Sequence, residues 1–164
     1  MKLAVLTIFL SAAFVTAAPA TQATKFRTDA EVVHAVPADL YPKTLAGFTD
    51  LKLDAINDAL KENVTGHPGI FTLKVNRIER SAASDERRGD WVLIGEMSYV
   101  GRLPCDHWFY FDDKDKGKLA SLEKGAVVSV SGTIQPARII RRDGTVMIVV
   151  DMAHCQITNH ARSS

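Results

Sequence analysis

From Phe71 to Ile157 apolar residues keep returning at every second position, and this period of two constrains the fold more than any other feature. Phe71, Leu73 and Val75 alternate with Thr72, Lys74 and Asn76, and Val128 and Val130 alternate with Ser129 and Ser131. A helix scatters residues at that spacing around its axis, whereas a half-buried strand gathers them on one face. Ile78 then falls where a polar residue is due, so the first strand is expected to be long and bent, with a bulge after Val75. A second strand is expected over Trp91–Arg102, with Gly95 and Gly101 at bends. His107–Phe111 is a short aromatic third strand, and Lys118–Lys124 forms a short helix that stops at Gly125. Ala126–Gln135 is the fourth strand and Thr145–Ile157 the fifth, joined across the hairpin signal Asp143-Gly144.

Upstream the period changes. Leu53, Ile56 and Leu60 recur at helical spacing, with Ala59 beside them, which predicts an amphipathic helix over Asp50–Glu62. Thr49 or Asp50 caps its start, and Gly66 and Pro68 end it. Residues 21–30 are polar and read as a frayed start, and Pro37, Pro42 and Gly47 mark turns. The first twenty residues have a different character. A single charge at Lys2 precedes the apolar run Leu3–Val15 and the small residues Ala17, Ala18 and Ala20. That order is the pattern of a secretory signal peptide, and the run is short for a membrane span. The expected organisation is a signal peptide over 1–20, a segment with one helix over 21–66 and a barrel over 67–158, in a secreted or periplasmic protein. The whole chain carries 20 basic and 19 acidic residues; loss of Lys2 with the signal leaves them equal. A neutral domain draws no polyanion from a distance, so any such binding depends on a local patch.

Strand, strand, strand, short helix, strand, strand is the order of the oligonucleotide/oligosaccharide-binding (OB) barrel. The run Phe109-Tyr110-Phe111-Asp112-Asp113, then Leu119 and Leu122, then Gly125–Ile134 and the closing Met147–Ile157 resemble the bacterial tRNA-anticodon-like OB domains, many of them secreted. The resemblance implies a mainly β fold: a five-stranded OB barrel with a short helix between strands three and four, here with an N-terminal helical extension. It does not imply tRNA binding.

No G-x-S-x-G, H-E-x-x-H, phosphate-binding loop or C-x-x-C occurs, so no catalytic residue and no cofactor are assigned. Asp112, Asp113 and Asp115 fail the calcium-loop spacing, and the lysines between and after them offset their charge. Cys105, His107, His154 and Cys155 include two zinc-type ligands adjacent on one strand and therefore facing opposite ways, so no metal is expected. Export instead predicts a disulfide between Cys105 and Cys155, the two cysteines of the chain. Closing that loop of about 50 residues is worth about 4 kcal/mol in the chain-entropy view. Asn63-Val64-Thr65 matches a glycosylation acceptor.

The candidate binding residues are arginines. Arg77, Arg80, Arg87 and Arg88 lie in or near the loop after the first strand, and Arg138, Arg141 and Arg142 lie near the loop before the fifth. In an OB barrel these two loops flank the ligand face, and arginine forks suit phosphate and carboxylate groups. Trp91, Tyr99, Trp108 and Tyr110 are stacking candidates wherever they face outward. The expected function is a non-catalytic binding protein, taking an unidentified ligand or protein partner in the cell envelope or outside the cell. The alternatives are binding of single-stranded nucleic acid or another polyanion through the arginine loops, and a hydrolase with an unrecognised site.

Overall fold

A computed structural model describes residues 25–82 and 89–161; the segment expected to be a signal peptide, Arg87 and Arg88 lie outside the described residues. Its elements are α1 (Asp29–His34), α2 (Asp50–Asn63), β1 (Pro68–Arg80), β2 (Trp91–Gly95), β3 (Ser98–Val100), β4 (Leu103–Phe111), α3 (Lys116–Ala120), β5 (Val127–Arg142) and β6 (Thr145–Ala161).

The strands close on themselves. The first half of β1 pairs with β5 and its second half with β2; β2 pairs with β4, β4 runs parallel to β6, and β6 returns to β5. One strand serves two partners because it bends, and the bend sits where the apolar parity shifts: the β1–β2 register slips between Val75 and Arg77. With α3 between β4 and β5, this ring has OB topology. It is filled by Phe71, Leu73, Leu93, Phe109, Phe111, Val130, Ile148 and Met152, all buried.

The strand ends depart from the sequence pattern in informative ways. The expected second strand is two strands, β2 and β3, divided at Glu96-Met97, and β4 begins at Leu103 instead of His107. β5 continues past Pro136 to Arg142. Proline has no N–H for a ladder, but the β5–β6 register slips between Ile134 and Ala137, so the strand tolerates it there. A second slip sets Gly132 against an extra residue of β6, and His154 takes φ 53° to make room. The hairpin tip turns at Asp143 (φ 51°) and Gly144 (φ 77°), as the dipeptide predicted.

α2 begins where its cap was expected: the Thr49 hydroxyl accepts from Lys52 N at 3.4 Å. Leu53, Ile56 and Leu60 are buried beneath it. Asn57 fastens the helix to β5, accepting from Ile139 N at 2.8 Å and donating to Ile139 O at 3.1 Å.

The disulfide does not form. Cys105 and Cys155 are both buried free thiols. Their strands, β4 and β6, are neighbours as the pairing required, but Cys105 stands opposite Ile148. Cys155 is seven residues further along β6, ~20 Å at strand rise, where a bridge needs Cα atoms within about 7 Å. Burial pushes both thiols up, Cys105 to about 12, with the charge of Asp29 adding to the effect, so neither is a thiolate at neutral pH.

Candidate ligand cleft

The outward face of β2 and β4, where OB barrels commonly receive ligands, carries mostly buried side chains in this chain. Val92 stands opposite Tyr110 and Ile94 opposite Trp108, so these four share that face. Val92, Ile94 and Tyr110 are buried, and Trp108 packs against them with its indole N–H donating to Asp106 at 2.9 Å. The alternate residues Cys105, His107, Phe109 and Phe111 are buried on the other side.

The ring opens elsewhere. Beyond the bulge β1 is edged by β2, but before it β1 has only β5 on one side. Among the described residues its other edge takes a single bridge from Phe26, whose N–H donates to Pro68 O at 3.1 Å and whose carbonyl accepts from Ile70 N at 2.8 Å. Helix α1 follows at once. Its start is fixed by a capping box: Glu31 N donates to the Thr28 hydroxyl at 3.2 Å, and Thr28 N donates to the Glu31 carboxylate at 3.3 Å. This turn presents Asp29 to the barrel. One carboxylate oxygen meets His107 Nε2 at 2.7 Å and the other accepts from the Ser98 hydroxyl. His107 is 3% exposed and packs against the rings of Phe71 and Phe109, at centroid distances of 5.9 and 5.8 Å. Burial opposes ionisation of Asp29, but the hydrogen bond and charge attraction of His107, with the Ser98 hydroxyl, outweigh it and hold the carboxyl below its ordinary range.

Above this network lies a cleft of about 770 Å³. Phe71, Leu73, Met97 and Val127 supply its apolar surface, Arg27 and Lys74 its cations, and Asp29 and Glu96 opposing carboxylates. The size suits a small organic ligand or a short stretch of a chain. The Ser98–Asp29–His107 order is not a hydrolytic triad. Asp29 stands between the other two, so the serine proton faces a weak carboxylate base and not the imidazole.

The described candidate arginines do not share one place. Arg80 pairs with Trp91 beside the C-terminal end of β4, and Arg77 near it contacts Glu79 at 3.1 Å. The hairpin of Arg141 and Arg142 lies at the opposite end of β4, beside Arg102 and Pro104, ~25 Å away along the strand. Arg138 bonds buried Asp151 at 3.0 Å. Arg141 holds the start of α2, contacting Asp50 at 3.1 Å and donating to Phe48 O. Arg142 is exposed at the tip. Of the aromatic candidates Tyr99 is the open one, 67% exposed, whereas Trp91 is part-buried with its N–H on Asp113 at 3.0 Å. Asp112 and Asp115 pair with Lys114 and Lys118. Among the described residues no three His, Cys, Asp or Glu side chains cluster to hold a metal ion.

The sequence pattern pointed to none of the cleft's polar network. A signal for it existed: Thr28-x-x-Glu31 is a capping-box pattern, and it marks a helix start inside the stretch read as frayed.

No family model and no curated protein matches the chain. Solved structures give distant likenesses. An aspartyl tRNA synthetase from Entamoeba histolytica aligns at 8% identity and TM-score 0.38, over 66% of this chain and 21% of its own. A small single-stranded DNA-binding protein from Streptomyces coelicolor aligns at 14% identity and TM-score 0.34, over 58% of this chain and 93% of its own. A Replication Protein A heterotrimer bound to ssDNA aligns at 16% identity and TM-score 0.26, over 56% of this chain and 57% of its own. The chain thus spans about a fifth of the synthetase's length. The OB assignment rests on the pairing order of the strands.

Proposed function

We propose that this is an exported, non-catalytic OB-fold binding protein of the bacterial tRNA-anticodon-like type, with its ligand in the cleft at the ring opening. The observation that carries the reading is the cleft itself: open space beside a braced polar network, while Val92, Ile94 and Tyr110 on the β2–β4 face are buried. Its lining suits a ligand with an apolar or aromatic body on Phe71, Leu73 and Met97 and an anionic group between Arg27 and Lys74. Export is supported by the order of charge, apolar run and small residues over 1–20. Naphthyl phosphate has the required chemistry and serves as probe in titration calorimetry. Lys74→Glu is expected to weaken it about tenfold, the loss of one charge-assisted contact. Lys61→Glu, exposed on α2, is expected to leave it unchanged. Equal binding by both variants would remove the cleft from consideration.

A second reading is polyanion or single-stranded nucleic-acid binding at the Arg77–Arg80 end of the barrel. It is favoured by the exposed arginines there and by Arg87 and Arg88 in the adjoining loop sequence. Phosphate contacts make such binding fall steeply with salt, which binding in the mixed cleft does not share.

A further inference from the structure

Between the bent second half of β1 and helix α3 runs a groove of about 340 Å³. Arg77, Lys116 and Lys124 line it, with Ile78, Trp91 and Leu122 as its apolar surface and no carboxylate among the described lining residues. In a chain whose acidic and basic residues almost balance, this is a local concentration of positive charge. Glu123 is exposed between Leu122 and Lys124, and four other described carboxylates nearby are engaged. Glu79 bonds Arg77 at 3.1 Å, Asp113 accepts from the Trp91 indole at 3.0 Å, and Asp112 and Asp115 pair with Lys114 and Lys118. Lys116 and Lys124 pair with no carboxylate among the described residues. Lys116 instead lies over the Trp91 ring, 5.3 Å from its centroid, a surface contact that a phosphate can outbid for the ammonium.

We propose that this groove binds a nucleoside phosphate, free or as one unit of a single strand. The base lies against Ile78, Leu122 and the Trp91 ring that Lys116 vacates, and the phosphate sits among Arg77, Lys116 and Lys124. Stacking with sequence-tolerant backbone charge contacts is how proteins hold single-stranded nucleotides. The inference rests on the polyanion reading for the sign of its ligand, and it is independent of the cleft.

ADP and an oligothymidylate are the probes, on the full chain. Trp108→Phe leaves Trp91 as the one tryptophan, so its emission reports the groove. Both probes are expected to quench Trp91. Lys116→Glu with Lys124→Glu is expected to weaken them at least about tenfold, with the unfolding midpoint unchanged, because both lysines are exposed. Oligothymidylate that binds the double variant as tightly as the parent overturns the groove and leaves the polyanion reading standing. ADP that binds and loses affinity in the double variant, with no oligothymidylate binding, supports the groove and removes the strand. Binding of neither probe ends both.

Discussion

Gly89→Ala is expected to destabilise the protein by about 3 kcal/mol, far more than its place in a polar loop suggests. Gly89 is buried with φ 150°, a region that L side chains rarely occupy. A Cβ there meets backbone and nothing softer: Phe111 O at 2.7 Å and Phe111 N at 2.9 Å. This close approach sets the backbone just before β2 against Phe111 at the end of β4. The next residue completes the junction, with Asp90 accepting from Asp113 N at 2.9 Å and from Ser81 N at 2.9 Å. Gly144→Ala is the matched control, with positive φ (77°) but open space around the position. It is expected to cost about 1 kcal/mol, the left-handed penalty alone. Urea unfolding separates the two. Equal losses would mean that backbone conformation, and not contact with Phe111, sets the cost.

The second large effect belongs to the bond between α1 and the barrel. Asp29→Ala is expected to cost about 2–3 kcal/mol, because it leaves buried His107 without the acceptor on Nε2. His107→Leu removes the polar group altogether. In the background of that change, Asp29→Ala is expected to cost about 1 kcal/mol or less, a coupling well outside additivity for independent sites. A cycle that closes to zero would show that the 2.7 Å contact does not link the two residues energetically. Acid should act on the same bond. The folded-state pKa of Asp29 lies below the unfolded value of 3.8, so its contribution is complete above that value and fades as pH falls through the folded one. Asp29→Asn should therefore lose part of the stability change that the parent shows below about pH 4.

How much of this was legible in the sequence depends on the range of each interaction. The bulge after Val75, the Asp143-Gly144 turn and α2 are written locally, in a parity shift, a dipeptide and a helical period. The OB order follows from the sequence of elements alone. Register does not. The expected bridge chose the right pair of strands, and a register that no local pattern encodes placed Cys105 opposite Ile148. The arginine loops were expected to flank one ligand face, and the described ones stand at opposite ends of β4. The cleft was least legible of all. Asp29 and His107 are 78 residues apart in sequence, and each alone is an ordinary polar residue. Only the capping box hinted that residues 28–31 were ordered. The β2–β4 face shows the reverse: aromatic residues that suggest stacking are spent on a small apolar cluster.

The central claim is that ligand binds where the ring opens, and amide chemical-shift mapping with naphthyl phosphate tests it most directly. The account predicts that the largest shifts fall on Phe71–Lys74 of β1, on Glu96–Ser98, on His107 and on Arg27–Asp29, the backbone around one cleft. Shifts confined to Arg77, Lys116 and Lys124, or to Val92, Trp108 and Tyr110, would place the ligand in the groove or on the β2–β4 face and contradict it.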